Sequence, residues 1–72
     1  MTDRKLLEAK IKQKGLKKYF LAEQLGVSRA TFSALLNNDT EFKASQIHKL
    51  CELLDINDEE TMRSIFFAQV GA

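Results

Sequence analysis

Proline is absent from this sequence and glycine occurs only three times, so little in it forces the backbone out of a helix. No stretch alternates apolar and polar residues long enough to make a strand pair, and the expected fold class is all-α. Cys51 is the single cysteine, which excludes an internal disulfide and a cysteine-based metal site. His48 is the single histidine, and one imidazole cannot support two-histidine chemistry. No Ser/His/Asp set, carboxylate pair, phosphate loop or metal cluster stands out, so neither catalysis nor a cofactor is expected. No apolar run approaches the roughly 18 residues a membrane span needs, and no basic segment leads into an apolar stretch as in a signal peptide. A cytoplasmic protein with no membrane contact is the expectation.

What remains is the composition of a globular domain, with 44% apolar and 29% charged residues in 72. That length allows one compact domain, residues 1–72, because small chains bury a limited share of their surface. The formal net charge is only +1, which hides a division along the chain. Residues 1–49 carry ten Lys or Arg against five acids, whereas residues 50–72 carry Arg63 against Glu52, Asp55, Asp58, Glu59 and Glu60. The first two-thirds can face a polyanion while the remainder is better turned away.

Helix signals predict five elements. The first runs from about Asp3 to Lys14, capped by Thr2 or Asp3, buried through Leu7 and Ile11, and stopped by Gly15. The second, about Lys18 to Leu25, places Leu21, Ala22 and Leu25 on one side and ends at Gly26. Ser28 caps the third, about Arg29 to Asn37, whose apolar stripe is Phe32, Leu35 and Leu36. At about 100 degrees per residue the opposite side of that helix holds Ala30, Ser33, Ala34 and Asn37, flanked by Arg29 and Thr31. Asn37 to Thr40 read as a loop anchored by Phe42. The fourth helix, about Ala44 to Leu54, buries Ile47, Leu50, Cys51 and Leu54, with Ile56 beneath it. Asn57 opens the fifth in a variant capping box with Glu60, and that helix continues to about Ala68.

The most informative stretch is Gly15 to Asn37. Two short helices joined by a glycine turn cross steeply, which requires a small residue where the backbones approach, and Ala22 fills that need. Gly26 makes the turn, Val27 and Phe32 wedge between the helices, and Ser28 projects the second helix outward. A helix presented in this way has the diameter of a DNA major groove. The segment Leu21-Ala22-Glu23-Gln24-Leu25-Gly26-Val27-Ser28, with Phe32 four positions on, resembles the lambda-repressor-like helix-turn-helix family, the Cro and repressor group also called the xenobiotic-response-element type. The run Asn37 to Phe42, then Ile47 to Ile56, and the closing Ile65-Phe66-Phe67-Ala68 resemble the short Cro-like proteins of phages of Gram-positive bacteria.

The resemblance implies a five-helix DNA-binding domain with its helix-turn-helix at about 18–37, acting as a transcriptional repressor on a double-stranded operator. It places Arg29, Ala30, Thr31, Ser33 and Ala34 near base edges. Arg29 is the strongest reader, since a guanidinium pairs bidentately with guanine. It places Lys17 and Lys18 against a phosphate at the start of the second helix, where the family usually has Thr-Gln, and the lysines make that contact more electrostatic. Asn37, Asn38, Thr40 and Lys43 fall in the loop that the family lays along the DNA backbone.

Other residues carry blander expectations. Lys10, Lys12 and Lys14 form a solvated face, Cys51 is an inert thiol packed among apolar neighbours, and His48 is an exposed helix side chain. Of the adjacent pairs Tyr19/Phe20 and Phe66/Phe67, one member each must leave the core. A surface of Met62, Ile65, Phe67 and Val70 on the last helix is the expected place for a protein partner. A domain this small covers one half-site, so a homodimer on DNA, weak in free solution, is expected. The alternatives are an antitoxin-like regulator and a helical protein-interaction module working through the same apolar face.

Overall fold

The computed structural model, which describes residues 1–69, contains five α-helices. These are α1 (Arg4–Lys14), α2 (Lys18–Leu25), α3 (Arg29–Leu36), α4 (Ala44–Leu53) and α5 (Glu59–Phe66). No strand occurs among the described residues, and the fold class is all-α. Gly15 and Gly26 stop α1 and α2 in the left-handed conformation, with φ of 70° and 71°. A side chain there would be strained whatever the surrounding space, which is why glycine marks both ends.

The helix starts divide into two kinds. Asp3, Ser28 and Asp58 cap α1, α3 and α5 with side-chain oxygens that accept the N–H of Leu6, Thr31 and Thr61. Lys17 and Lys43 begin α2 and α4 and bring no acceptor to the first turn. At α4 the only reciprocal bond comes from the other direction, as the Lys43 N–H donates to Gln46 Oε1 at 2.8 Å.

Two expectations about the last helix are corrected. Its cap is Asp58 rather than Asn57, because the Asp58 carboxylate accepts both the Thr61 N–H and the Thr61 hydroxyl. It ends at Phe66 rather than near Ala68, since the Ala68 N–H turns away to the Met1 carbonyl at 2.9 Å. That bond, with the Asp3 N–H on the Ile65 carbonyl at 2.6 Å, ties the N-terminal segment along the end of α5.

The core joins all five helices through Leu7, Leu21, Phe32, Leu36, Leu50, Leu54, Ile65 and Phe66, with Ile56 sealing the α4–α5 turn. α2 packs on α3 and α4, and α1 packs on α5. Ala22, expected where the two helices meet, is buried. Phe42 anchors the α3–α4 loop by edge-on contacts with Phe32 (centroids 6.5 Å apart) and Phe66 (5.5 Å). Ile47 and Cys51, expected in the core, lie half-buried at its rim. Burial pushes the Cys51 thiol up from its ordinary pKa, favouring the protonated form.

Candidate nucleic-acid interface

The short turn between α2 and α3 leaves Ser28, Arg29, Ala30 and Thr31 exposed at the start of α3. Ser28 Oγ accepts the Thr31 N–H at 3.0 Å and its hydroxyl donates to Thr31 Oγ1 at 3.0 Å, which locks the first turn. Behind this lock Phe32, Leu35 and Leu36 face the core, so Arg29, Ala30, Thr31 and Ser33 are left exposed. Ala34 is half-buried, and its carbonyl accepts the Asp39 N–H at 2.9 Å. The exposed part of the helix is small and polar apart from Arg29.

Arg29 does not stand alone on its helix. Its guanidinium carbon lies 5.6 Å from the centroid of the Tyr19 ring on α2, within the range of a cation–π contact. Tyr19 is the member of its pair that leaves the core, at 55% exposure, while Phe20 packs against the core from its edge. Lys17, Lys18, Tyr19 and Arg29 together line a shallow hollow beside the start of α2. That hollow brings three cations to one side of the helix-turn-helix.

Lys18 is already paired in the free protein. Its ammonium bonds to Glu8 Oε1 on α1, while Glu8 Oε2 takes the Arg4 Nε–H at 3.0 Å. Hydrogen bonds from Lys18 first and Arg4 second hold the Glu8 carboxyl below its usual pKa. The sequence signals this only in part, because Arg4 and Glu8 are four apart on one helix whereas Glu8 and Lys18 meet between helices. Lys17 makes no ion pair among the described residues and stands exposed at the cap of α2.

The loop residues divide. Thr40 and Lys43 are exposed, and Asn37 is exposed but accepts a bond from the Arg4 guanidinium at the end of α3. Asn38, expected at a phosphate, is exposed and also ties the loop to the N-terminal segment: Oδ1 accepts from the Thr2 N–H and Nδ2 donates to the Thr2 carbonyl. Its φ of 63° is a left-handed conformation that asparagine tolerates better than other side chains.

The charge division along the sequence is partly undone in space. Lys14 pairs with Asp55 in the α4–α5 turn and lowers the pKa of that carboxyl. Lys10 lies near enough to Asp58 to contribute to the lowering of its pKa, behind the larger effect of the Thr61 bonds. The expected solvated face of α1 therefore turns in part towards the acidic end. Among the described residues Lys17 and Arg29 at the helix-turn-helix stay exposed and outside any ion pair, as do Lys5, Lys12, Lys43 and Lys49 elsewhere.

On the last helix Ile65 is corrected from the expected partner surface to the core, at 2% exposure. Phe67 is 57% exposed and Met62 half-buried, and both border an apolar groove with Ile47, Cys51 and Ile56. Val70 lies outside the described residues. No helix of the described residues is long and apolar enough to cross a membrane.

No curated protein and no solved structure matches the chain. A family model for the Cro/C1-type HTH DNA-binding domain matches residues 7–63, from the buried face of α1 to the last turn of α5. The chain belongs to that family and is a DNA-binding transcription regulator.

Proposed function

We propose that this protein is a sequence-specific repressor of the Cro-like kind, which lays α3 in the major groove and controls a promoter by occupying its site. The observation that carries this reading is the α3 surface: a capped helix start with Arg29, Ala30, Thr31 and Ser33 exposed together. In this reading Arg29 pairs with a guanine, Ala30 and the accessible part of Ala34 offer methyl contact, and Thr31 and Ser33 hydrogen-bond at the groove edge. Lys17, Lys18, Asn37, Asn38, Thr40 and Lys43 hold the flanking phosphates, with Asn38 also fixing the loop through Thr2. The protein works by occupancy, as a single domain whose partner is the duplex, and a second copy fills the other half-site.

Selection of bound sequences from random duplexes at two salt concentrations tests the reading. A symmetric motif with a guanine at one position of each half-site is the expected result. The affinity should fall with salt at a slope of about −0.9 for each phosphate neutralised. Enrichment of no sequence at either salt would overturn it.

A further inference from the structure

We infer that Tyr19 is a positioning residue for Arg29: its ring, held by α2, sets where the guanidinium meets the DNA, so a residue that touches no base governs base choice at one position. The inference rests on the reading of Arg29 as the base-reading cation and adds to it the device that aims the side chain.

Arg29 is the first residue of α3, and the Ser28 cap fixes its backbone but not its long side chain. Among the described residues no carboxylate pairs with it. The contact that distinguishes one orientation is the Tyr19 ring, 5.6 Å from the guanidinium carbon. Lys17 and Lys18 line the same hollow, but Arg29 is the cation over the ring. Lys18 is drawn off to Glu8, and a planar guanidinium suits a ring face better than a hydrated ammonium does. A guanidinium anchored over the ring keeps its N–H edge free for bidentate pairing with guanine O6 and N7.

The exposure of Tyr19 is otherwise unexplained by packing. Phe20 supplies the apolar contact with the core, and Tyr19 keeps 55% of its surface in solvent on the first turn of α2. Stacking of Tyr19 on a base is disfavoured because the bases of a duplex are already stacked on one another. At an exposed site a cation–π contact biases the side chain by about two- to fivefold, which sets the size of the expected effect.

The test measures base preference by competition binding for the wild type, Tyr19→Phe, Tyr19→Leu, Tyr19→Gln, Arg29→Ala and the Tyr19→Leu/Arg29→Ala pair. Circular dichroism confirms folding, and the two non-aromatic variants stand in for each other if one fails to fold. At the base pair where Arg29→Ala abolishes preference, Tyr19→Leu or Tyr19→Gln should lower it by about two- to fivefold, and Tyr19→Phe should retain it. Affinity for non-specific duplex and its salt slope should stay unchanged, and Tyr19→Leu should add nothing in the Arg29→Ala background. If Arg29→Ala alters preference nowhere, the base-reading role fails and the inference fails with it. If Arg29→Ala acts but the non-aromatic Tyr19 variants leave preference intact, the positioning role alone is overturned. It is equally overturned if those variants change non-specific affinity while preference holds, since the ring would then touch the DNA backbone.

Discussion

Asn38 grips Thr2 by both ends of its side-chain amide, accepting the Thr2 N–H at 2.8 Å and donating to the Thr2 carbonyl at 3.0 Å. The two residues are 36 apart in sequence, and their contact joins the loop after α3 to the segment before α1. Thr2 is buried while Asn38 is exposed, so the two bonds are partly shielded from solvent. Asn38→Ala should cost about 2 kcal/mol or more, from lost hydrogen bonds at about 1 kcal/mol each and a left-handed alanine at about 1 to 2 kcal/mol. Asn38→Gly should cost less because it relieves the backbone. Urea denaturation gives both values. A neutral Asn38→Ala with weakened DNA binding would show that the residue acts at the phosphate surface and not in the fold.

Glu8 holds Lys18 and Arg4 in the free chain, so in the proposed reading it competes with a phosphate for Lys18. Glu8→Gln should tighten duplex binding at low salt by on the order of 1 kcal/mol, about fivefold. The gain should shrink as salt rises and the Debye length shortens. Folding stability should fall by less than about 1 kcal/mol, the usual range for an exposed pair. Titration of a fixed duplex at several ionic strengths measures the first two effects, and weaker binding by Glu8→Gln would show that the carboxylate instead orients Lys18 productively.

The acid side of the stability profile follows from three carboxyls. Glu8, Asp55 and Asp58 all have pKa values lowered in the folded chain, by bonds from Lys18, Lys14 and Thr61 respectively. A lowered pKa means that the unfolded chain takes up protons first as pH falls. Their stabilisation is therefore fully present above the ordinary carboxylate range, about pH 4 to 5, and is lost as pH drops through the lower folded values. Melting temperature should be insensitive to these groups near neutrality and fall below that range. Asp55→Asn should flatten the fall, and an unaltered acid limb would remove the Lys14 pair from the account.

Phe67 and the half-buried Met62 leave an apolar edge that one copy of the chain does not cover. If this edge joins two copies on DNA, Phe67→Ser should abolish cooperative binding to a two-half-site duplex while the monomer stays folded. Moving the half-sites apart by half a helical turn, from a spacing of about 34 Å, should have the same effect on the wild type. Gel-shift titrations show both, and retained cooperativity in the two cases would argue for a monomeric reader.

Features governed by neighbours in sequence were the legible ones. The stops at Gly15 and Gly26, the Ser28 cap and the bounds of α2 depend on backbone preferences that a few residues decide. The start of α5 was misplaced by one residue because Asn57 and Asp58 are both good caps, and only the reach to Thr61 separates them. Lys14–Asp55, Glu8–Lys18 and Asn38–Thr2 were not legible, since each joins elements whose relative placement is set by the core. The same holds for Arg29 and Tyr19, which periodicity places on separate helices with nothing to bring them together. For Ile65 the helical pattern identified an apolar position but not the side of α5 that the N-terminal segment covers.

The two helices that begin on lysine impose a conflict between durability and activity. At Lys17 and Lys43 the side chain offers no acceptor and sets a positive charge beside the positive end of a helix dipole. Lys17→Ser should therefore raise the melting temperature, by a cap worth about 1 kcal/mol, while weakening the hold on DNA. A bound phosphate would supply the missing anion at both starts, so the duplex completes helices that the free chain leaves unfinished. On this account the most stable version of the fold would be a poorer regulator, and occupancy of the operator would itself lengthen the life of the folded chain.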